Sequence, residues 1–465
     1  MASPFATPDT LVIALDIGKN VHWIGCYDGL LNVLVKPYEV RSNLPGFHRL
    51  TATVDPLLQS GRFRQAVIGH EATGVYHEPW MWQIFDHYAS ALAGLTPCPL
   101  TYRLLNPRLT KQWREQRSLR PQSTDPRAVL AVAGCLAEGL GHPLVRPTAQ
   151  QVALLEGVRA YHHLEGHRRL LAHQLYPQID RLWPGAIVDL KRFRKAHPHL
   201  EPPSPIVCSQ ALDRQRMAAL LLHLPNPHDA LALGEEGLLA LLRREVGRAG
   251  PQTVAKVLRV LREAPLPPKD MAPIYARRLQ EDYQRYLEMG KRLEGLRAEI
   301  EALAFQTDAR FLVSIPGVSP LLAARYYAIV APIQRFRRAA QVWAYAGFDP
   351  ISDSSGDGHR VGEVSKRGSA VLREALYQIG FHAAQVCPPI GWAYLRARRR
   401  GLDQTRAVIH AANKANRLCF TLLREQRPYR PVSPAEKERF RRAREGSRSQ
   451  GQKKQKRRRP RSKKR

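Results

Sequence analysis

Apolar residues recur in short runs, separated by polar turns, over the first 150 residues of the chain. The run LVIALDI has the length and composition of a buried strand, and two similar runs follow it after tight turns. Helical and strand-like patterns then alternate. The predicted strands are 11–17, 21–28, 31–40, 64–72 and 99–107, and the predicted helices are 44–61, 78–93 and 125–139. The pattern indicates an α/β domain over residues 8–150.

The order of these elements narrows the choice of fold. A meander of three strands, followed by alternating helices and strands, is the order of the ribonuclease-H-like fold. Many other α/β folds also alternate helices and strands, so the order favours this fold without excluding them.

Residues 151–305 show no strand pattern and are predicted to form a helical connector, broken by proline-rich stretches at 201–206 and 264–273. Within this connector, apolar residues recur three or four positions apart between Leu279 and Leu303. Such a seam is typical of a coiled coil or a helical hairpin. The alternative is an ordinary amphipathic helix that packs on its own domain.

The last third of the chain is predicted to contain a mostly α-helical C-terminal domain at 306–428 and a disordered basic tail at 429–465. The chain has 72 Lys and Arg residues against 40 Asp and Glu, a formal net charge of +32. The last fifteen residues contain ten basic residues and no acidic one, but most of the charge excess lies in the body of the chain. A polyanionic partner is therefore expected, and the alternative is a generic solvated basic surface.

Other features of the composition exclude several classes of protein. The chain contains no run of eighteen apolar residues and no secretory signal, so we expect neither a membrane span nor export. Its six cysteines are scattered without a C-x-x-C pair, which argues against a zinc site and a disulfide framework. We therefore expect reduced cysteines and a cytoplasmic location.

Three acidic residues lie at strand ends and at a helix start. Asp16 ends the first strand, Glu71 ends the fourth, and Asp125 begins the helix after the fifth. Strands one and four are neighbours in a ribonuclease-H-like sheet, so these carboxylates are expected to converge. Convergent carboxylates suit Mg²⁺ or Mn²⁺, and two such ions can clamp the oxygens of a phosphodiester. The alternative gives each residue a separate structural role, such as a turn or an N-cap.

A second candidate site is a loop rich in Asp, Ser and Gly within residues 345–376. Ser354 or Ser355, next to Gly356, offers a hydroxyl, which is a weak nucleophile unless a base or a metal activates it. His359 is a candidate base, and a carboxylate-bound metal is the other source of activation. The basic residues that are expected to hold phosphate oxygens are Arg360, Lys366, Arg367 and Arg373. The spacing alone slightly favours a purely structural Ser-Gly turn.

Taken together, these motifs resemble the transposases of the insertion-sequence-110 family, the bridge-RNA-guided recombinases. The N-terminal match is DIGK, GHEATG, NPRLTKQW and STDPRA, and the C-terminal match is SIPGVSP, AYAGFDP, Ser-Ser-Gly and VSKRGSAVLREAL. The resemblance covers about 11–140 and 306–425. The paired order of the motifs is specific, whereas any one of them alone is a weak signal.

The resemblance implies a fold and a chemistry. The family has a Holliday-resolvase-like nuclease domain with an Asp-Glu-Asp-Asp metal site, a helical connector, and a C-terminal domain with a nucleophilic serine. By resemblance, Asp16, Glu71 and Asp125 fill the first three metal positions, and Ser355 attacks a DNA phosphate to form a covalent phosphoserine link. A structured guide RNA from the element pairs with target and donor DNA. We expect a dimer or tetramer associated with the bacterial nucleoid.

One departure from the family pattern bears on activity. The fourth carboxylate is expected three residues after the third, where this chain has Ala128. Either three carboxylates suffice, or another acid such as Glu138 substitutes, or this copy is impaired. Glu138 lies more than three helical turns away, which disfavours it. Two rival functions remain open: a metal-only nuclease or junction resolvase, and a nucleic-acid-binding relic of a transposase.

Overall fold

The structure is a computed structural model that describes residues 3–117, 125–208, 210–353, 360–365 and 367–457. The chain divides into two compact units. The first unit comprises Met1–Ala149, Val330–Gly368 and Asn416–Glu425, and the second comprises Gln150–Ile329, Ser369–Ala415 and Gln426–Arg465. The first unit therefore joins the N-terminal segment to the segment around the serine loop. The domain limits proposed from the sequence stay a prediction.

A mixed six-stranded sheet forms the centre of the first unit. Its strands are β1 (Thr10–Ile17), β2 (Val21–Asp28), β3 (Val33–Arg41), β4 (Gln65–Glu71), β5 (Leu100–Leu105) and β6 (His142–Pro143). The order across the sheet is β3-β2-β1-β4-β5-β6. The first three strands are antiparallel, and β4 and β5 run parallel to β1. The predicted meander followed by parallel strands is thus confirmed, close to its predicted limits.

Helices surround the sheet and form most of the rest of the chain. Those of the N-terminal segment are α1 (Leu44–Gln59), α2 (Glu78–His87), α3 (Ala89–Leu92), α4 (Pro107–Arg117) and α5 (Asp125–Ala137). The next are α6 (Ala149–Leu182), α7 (Leu190–Ala196), α8 (Gln215–His223), α9 (Pro227–Val246), α10 (Pro251–Glu263), α11 (Ala272–Gln306), α12 (Ala309–Val313) and α13 (Pro320–Val330). The last elements are α14 (Ala339–Tyr345), β7 (Pro350–Asp353), β8 (Arg360–Val364), α15 (Ala370–Val386), α16 (Pro388–Arg399), α17 (Gln404–Arg424) and α18 (Pro434–Arg457). No described helix is both long and apolar enough to cross a bilayer.

The two faces of the sheet pack against different helices. Side chains alternate between the faces of a strand, so Leu11, Ile13 and Leu15 enter a core with α1 and α2. Val12 and Ala14 point to the opposite face, which is covered by α5. Because side chains alternate, Asp16 at the end of β1 lies on the same face as Val12 and Ala14.

Helix α5 approaches the sheet closely because glycines line the contact. A Cβ atom at Gly25 would lie 2.8 Å from Val129 Cγ1, and one at Gly69 would lie 2.6 Å from Leu136 Cδ2. On the helix itself, a Cβ at Gly134 would overlap the indole ring of Trp113 on α4. These contacts fix α5, and therefore its first residue, relative to the strand ends.

We expect Gly134→Ala to destabilise the N-terminal domain by about 1–3 kcal/mol, because the added methyl group has no room beside Trp113. Gly166→Ala on α6 is the control, since nothing lies within 4 Å of its Cβ position. That change should be neutral or stabilise by up to roughly 1 kcal/mol, as expected for Gly to Ala in a helix. Urea unfolding measures the stability of both variants. Equal unfolding midpoints for Gly134→Ala and Gly166→Ala would contradict the close packing of Gly134 against Trp113.

The long helices α6 and α11 pack side by side within the second unit. Gly157 on α6 faces Ile300 on α11, and Gln178 Nε2 donates a hydrogen bond to Asp282 Oδ2 at 3.0 Å. The two helices therefore run antiparallel. The first part of the α11 seam, Leu279, Tyr283 and Tyr286, is buried in a core with α6 and the helices that follow it. Leu293 and Ile300 are also buried, whereas Met289, Leu296 and Leu303 are half-buried.

The basic tail differs from its prediction. Disorder was expected over 429–465, but helix α18 begins at Pro434, and Phe440 in its first turns is buried at 4% exposure. Residues 458–465 lie outside the described residues. The reason is a contact that is distant in sequence, because the Phe440 ring occupies the space left by the missing side chain of Gly391 on α16.

Candidate active site

Two of the predicted metal ligands lie side by side at one end of the sheet. Strands β1 and β4 pair in parallel up to Leu15 and His70, so the next residues, Asp16 and Glu71, are neighbours. Val12, Ala14 and Val67 pack against α5, and alternation therefore places Asp16 and Glu71 on that same face. Asp16 and Glu71 therefore converge, because β1 and β4 are paired in this register and because both side chains point to the same face of the sheet.

The third predicted ligand, Asp125, is the first residue of α5, the helix that packs on this face. Burial, together with the negative charges of Glu71 and then Asp125, raises the pKa of Asp16 to about 6. The three carboxylates therefore interact electrostatically. They do not form a tight cluster, since among the described residues only a group in the second unit has three ligand atoms within 4.8 Å of one another.

Glu71 is held by groups at both its side chain and its backbone. The buried hydroxyl of Thr110 on α4 donates a hydrogen bond to Glu71 Oε1. The carbonyl of Glu71 accepts a hydrogen bond from Nδ1 of His70 at 2.8 Å, so Nε2 of His70 accepts one from the Tyr102 hydroxyl at 2.7 Å. Burial lowers the pKa of His70 to about 3, so this histidine is neutral. These contacts fix the orientation of Glu71.

Helix α4 also brings a positive charge to the site. Arg114 lies one turn after Thr110 and lowers the pKa of Asp16, opposing the effect of the neighbouring carboxylates. Neither Thr110 nor Arg114 was singled out by the sequence analysis. Their i, i+4 spacing within NPRLTKQWR was the available signal, because it places both residues on one face of a helix.

The missing fourth carboxylate is not supplied by Glu138. Glu138 lies beyond the C-terminal end of α5, where Oε1 accepts hydrogen bonds from Trp113 Nε1 and Arg117 Nη1, both at 2.9 Å. It therefore ties α4 to α5 at the far end of the helix from Asp125. Ala128 is half-buried, one turn after Asp125, as the sequence pattern indicated.

On the prediction that Glu71 binds a divalent metal, we expect Thr110→Val to reduce the metal affinity about 10- to 100-fold, as loss of a partner that orients a metal ligand typically does. The change keeps the shape of the side chain and removes only the hydroxyl that binds Glu71. Thr110→Ser is the matched control, because it keeps that donor. Isothermal titration with Mn²⁺ measures the affinity, and an unchanged affinity in Thr110→Val would show that the hydrogen bond does not position Glu71.

The serine candidates cannot be placed by geometry, because Ser354, Ser355, His359 and Lys366 lie outside the described residues. The strands β7 and β8 on either side of residues 354–359 pair antiparallel, and the hydroxyl of Ser365 donates a hydrogen bond to Asp349 Oδ1 at 2.7 Å.

The basic residues predicted to hold phosphate lie on different elements. Arg360 begins β8, Arg367 is exposed, and Arg373 lies in the first turns of α15. Ser369 caps α15 by accepting a hydrogen bond from the backbone amide of Leu372 at 3.3 Å.

A second group of possible metal ligands lies in the second unit. It consists of His162, Glu165 and Glu374. The buried Arg325 already contacts it, because Nη2 of Arg325 lies 3.0 Å from Glu374 Oε2 and 3.8 Å from Glu165 Oε2. The guanidinium supplies the positive charge that these carboxylates need. We therefore interpret the group as a half-buried ion-pair network around the buried Arg325 rather than a metal site.

Comparison with known proteins identifies the C-terminal segment. Residues 309–413 match the sequence model of the IS116/IS110/IS902 family of transposases. A probable family 20 transposase of Pseudomonas aeruginosa is 31% identical over 210 residues, which cover 43% of this chain and 58% of the relative. The transposase for insertion sequence element IS1111A of Coxiella burnetii is 31% identical over 158 residues, covering 32% of this chain and 42% of the relative.

Two further similarities extend the comparison. An uncharacterised 43.6 kDa protein of insertion element IS110 of Streptomyces coelicolor is 27% identical over 242 residues, covering 51% of this chain and 58% of the relative. A solved structure of T. thermophilus RuvC in complex with a Holliday junction substrate aligns with 29% of this chain and 99% of its own, at 17% identity and a TM-score of 0.22. A TM-score this low supports no conclusion about activity.

The segment 309–413 is thus a transposase domain of the kind that insertion sequences encode. The chain matches about half the length of these relatives. The resemblance to the insertion-sequence-110 family is confirmed, because the chain carries a domain of the IS116/IS110/IS902 transposase family.

Proposed function

We propose that this protein is the recombinase of an insertion sequence and that it cuts and rejoins DNA. Its N-terminal part acts as a ribonuclease-H-like nuclease domain with a divalent metal, and its C-terminal part supplies a serine nucleophile. The observation that carries this proposal is the convergence of Asp16, Glu71 and Asp125 at one end of the central strands β1 and β4. The same chain also carries a transposase domain. Either feature alone is compatible with other functions.

The donor set fits Mg²⁺ or Mn²⁺. Three carboxylates supply hard oxygen ligands. Burial, and then the charges of Glu71 and Asp125, raise the pKa of Asp16, and a dication would offset the repulsion among the three. When bound, the metal would polarise a phosphodiester and activate an attacking hydroxyl. Thr110 keeps Glu71 oriented, and Arg114, whose charge lowers the pKa of Asp16, is proposed to contact a phosphate oxygen at the site.

The proposed strand transfer is a transesterification at phosphorus. Ser355 Oγ loses its proton and forms a bond to phosphorus, while the bond from phosphorus to a DNA sugar oxygen breaks and that oxygen takes up a proton. The segments on either side of the serine loop belong to the same compact unit as the three carboxylates, which supports joint action within one chain. Arg360, Lys366, Arg367 and Arg373 are proposed to bind the surrounding phosphates.

The proposed partners are DNA, a structured guide RNA of the element, and further copies of this chain. The net charge of +32 supports polyanion binding, and the family resemblance is the basis for the RNA and for a dimer or tetramer. A cytoplasmic, nucleoid-associated location follows from the proposed substrate.

A cleavage assay tests the proposal and separates it from its rivals. The substrate is a plasmid carrying the DNA that flanks the gene, with RNA transcribed from that flank and Mg²⁺ as the metal. The recombinase should cut this plasmid and leave a covalent protein–DNA adduct. Cleavage without an adduct would favour the metal-only nuclease, and no cleavage with Mg²⁺ or Mn²⁺ would favour the relic that Ala128 suggests.

A further inference from the structure

The C-terminal half of α16 carries a dense group of exposed arginines. Four residues in and just after it, Arg396, Arg398, Arg399 and Arg400, lie within five positions, and all four are exposed. Among the described residues, Arg396, Arg399 and Arg400 form no ion pair, and the nearby Asp403 pairs with Arg406. A helix C-terminus favours nearby cations, but arginines this close also repel one another. Binding of a polyanion would relieve this repulsion.

Helix α18 extends the arginine group. Trp392 lies four and seven residues before Arg396 and Arg399, so these side chains share one face of α16. The guanidinium of Arg439 on α18 lies over the Trp392 ring, 5.8 Å from its centroid. We name Arg396, Arg399, Arg400 and Arg439 the basic track. Its α16 part, measured from Trp392, spans roughly 10 Å at a rise of 1.5 Å per residue.

The position of α18 is fixed by two contacts on the side that faces the domain. The Phe440 ring is buried against Gly391 and lies edge-on to Trp392, with ring centroids 5.5 Å apart. Arg444 donates hydrogen bonds to the backbone and side-chain oxygens of Gln385. Phe440 thus holds α18 against α16, and Arg444 holds it against Gln385 near the C-terminal end of α15.

We propose that the basic track binds the phosphate backbone of duplex DNA and that Phe440 holds α18 in the orientation that this binding requires. The surface lies outside the carboxylate and serine sites, and it deepens the proposed function by naming a DNA-binding surface. Phosphate contacts of this kind orient a protein on DNA without reading its sequence. Phe440 is a positioning residue, because it contacts Gly391 and Trp392 rather than DNA.

The test measures binding of full-length protein to a short duplex DNA of arbitrary sequence, without divalent metal and over a range of salt concentrations. Replacement of Arg396, Arg399 and Arg400 by Gln should reduce the slope of log affinity against log salt by about 2.7, if each contacts one phosphate. The control replaces Lys191, Arg194 and Lys195 on α7 by Gln, which removes the same charge from another exposed segment. An equal loss in both variants would overturn the proposal in favour of a general charge effect.

A second variant tests the positioning role of Phe440 without changing any charge. Phe440→Ala should weaken DNA binding on the order of tenfold, because the undocked helix no longer presents Arg439 in a fixed position. Phe440→Leu keeps an apolar side chain against Gly391 and should retain most of the affinity. Unchanged affinity in Phe440→Ala, or losses confined to duplex RNA, would overturn the proposal. Since the readout is binding without metal, failure of the proposed cleavage would not affect it.

Discussion

We expect the Asp16→Asn protein to lose metal-dependent DNA cleavage by at least about a thousandfold, because a catalytic metal supplies several kcal/mol of transition-state stabilisation. Burial raises the pKa of Asp16, and the negative charges of Glu71 and Asp125 add to that rise. Affinity for DNA should change little, because the substitution removes no basic residue. Cleavage of the flanking-DNA plasmid and binding to the same DNA measure the two effects.

A second readout of Asp16→Asn does not depend on activity. Mg²⁺ should raise the thermal unfolding temperature of the wild-type protein, and Asp16→Asn should lose most of that increase. Without metal, the variant should be at least as stable as the wild type, because one of three repelling charges is gone. Asp9→Asn is the control, since Asp9 pairs with Arg64 at the opposite end of β1. Retained cleavage in Asp16→Asn would remove this residue from the metal site.

The second large effect is expected at Ser355. Replacement of Ser355 by Ala should abolish the covalent protein–DNA adduct, because no other atom of the side chain can form the bond to phosphorus. The adduct is detected on denaturing gels after cleavage of the flanking-DNA plasmid. Folding and DNA affinity should be retained, since the change removes one hydroxyl group.

Ser354→Ala is the matched control for this experiment, because it removes the same group one position earlier. Loss of the adduct only in Ser355→Ala supports the assignment, and loss only in Ser354→Ala moves the nucleophile by one residue. An adduct that survives both changes would exclude this loop from the chemistry. Cleavage without an adduct in the wild type would leave the metal-only nuclease as the better interpretation.

The sheet and its acidic residues were accessible from the sequence because both depend on local pattern. The apolar run of β1 predicts a buried strand, and strand periodicity decides the face of its final residue. Once β1 and β4 are neighbours, Asp16 and Glu71 must meet. The start of α5 at Asp125 followed from the Asp-Pro pair, which is typical of a helix N-terminus.

Helix α4 shows why part of the site was missed. Only Leu109 and Trp113 give it an apolar side, and most of its other residues are polar or charged, so no helical periodicity stands out. Its stability comes from tertiary contacts, such as the indole of Trp113 against Gly134. Thr110 and Arg114 therefore reach the site on an element that the hydrophobic pattern did not predict.

The C-terminal helix was missed for a related reason. Charge density predicts disorder in the tail, and locally that inference is sound. Phe440, the one aromatic residue of α18, allows an ordered helix there only because Gly391, far away in sequence, leaves a space of the right shape. A one-dimensional pattern cannot show such a pairing. The same limit applies to the α11 seam, which predicts an apolar face but not the surface that covers it.

The antiparallel pairing of α6 and α11 has a consequence for how such proteins can diverge. The chain leaves along one helix and returns along the other, and α7 to α10 lie between them in sequence. Insertion of one helical turn into both α6 and α11 would move α7 to α10 by about 5.4 Å along the axes of the two helices. The packing among α7 to α10 would be kept. The lengths of α6 and α11 would thus set how far α7 to α10 lie from the other ends of these two helices. We expect relatives to differ in these lengths by whole turns, with both helices changing together.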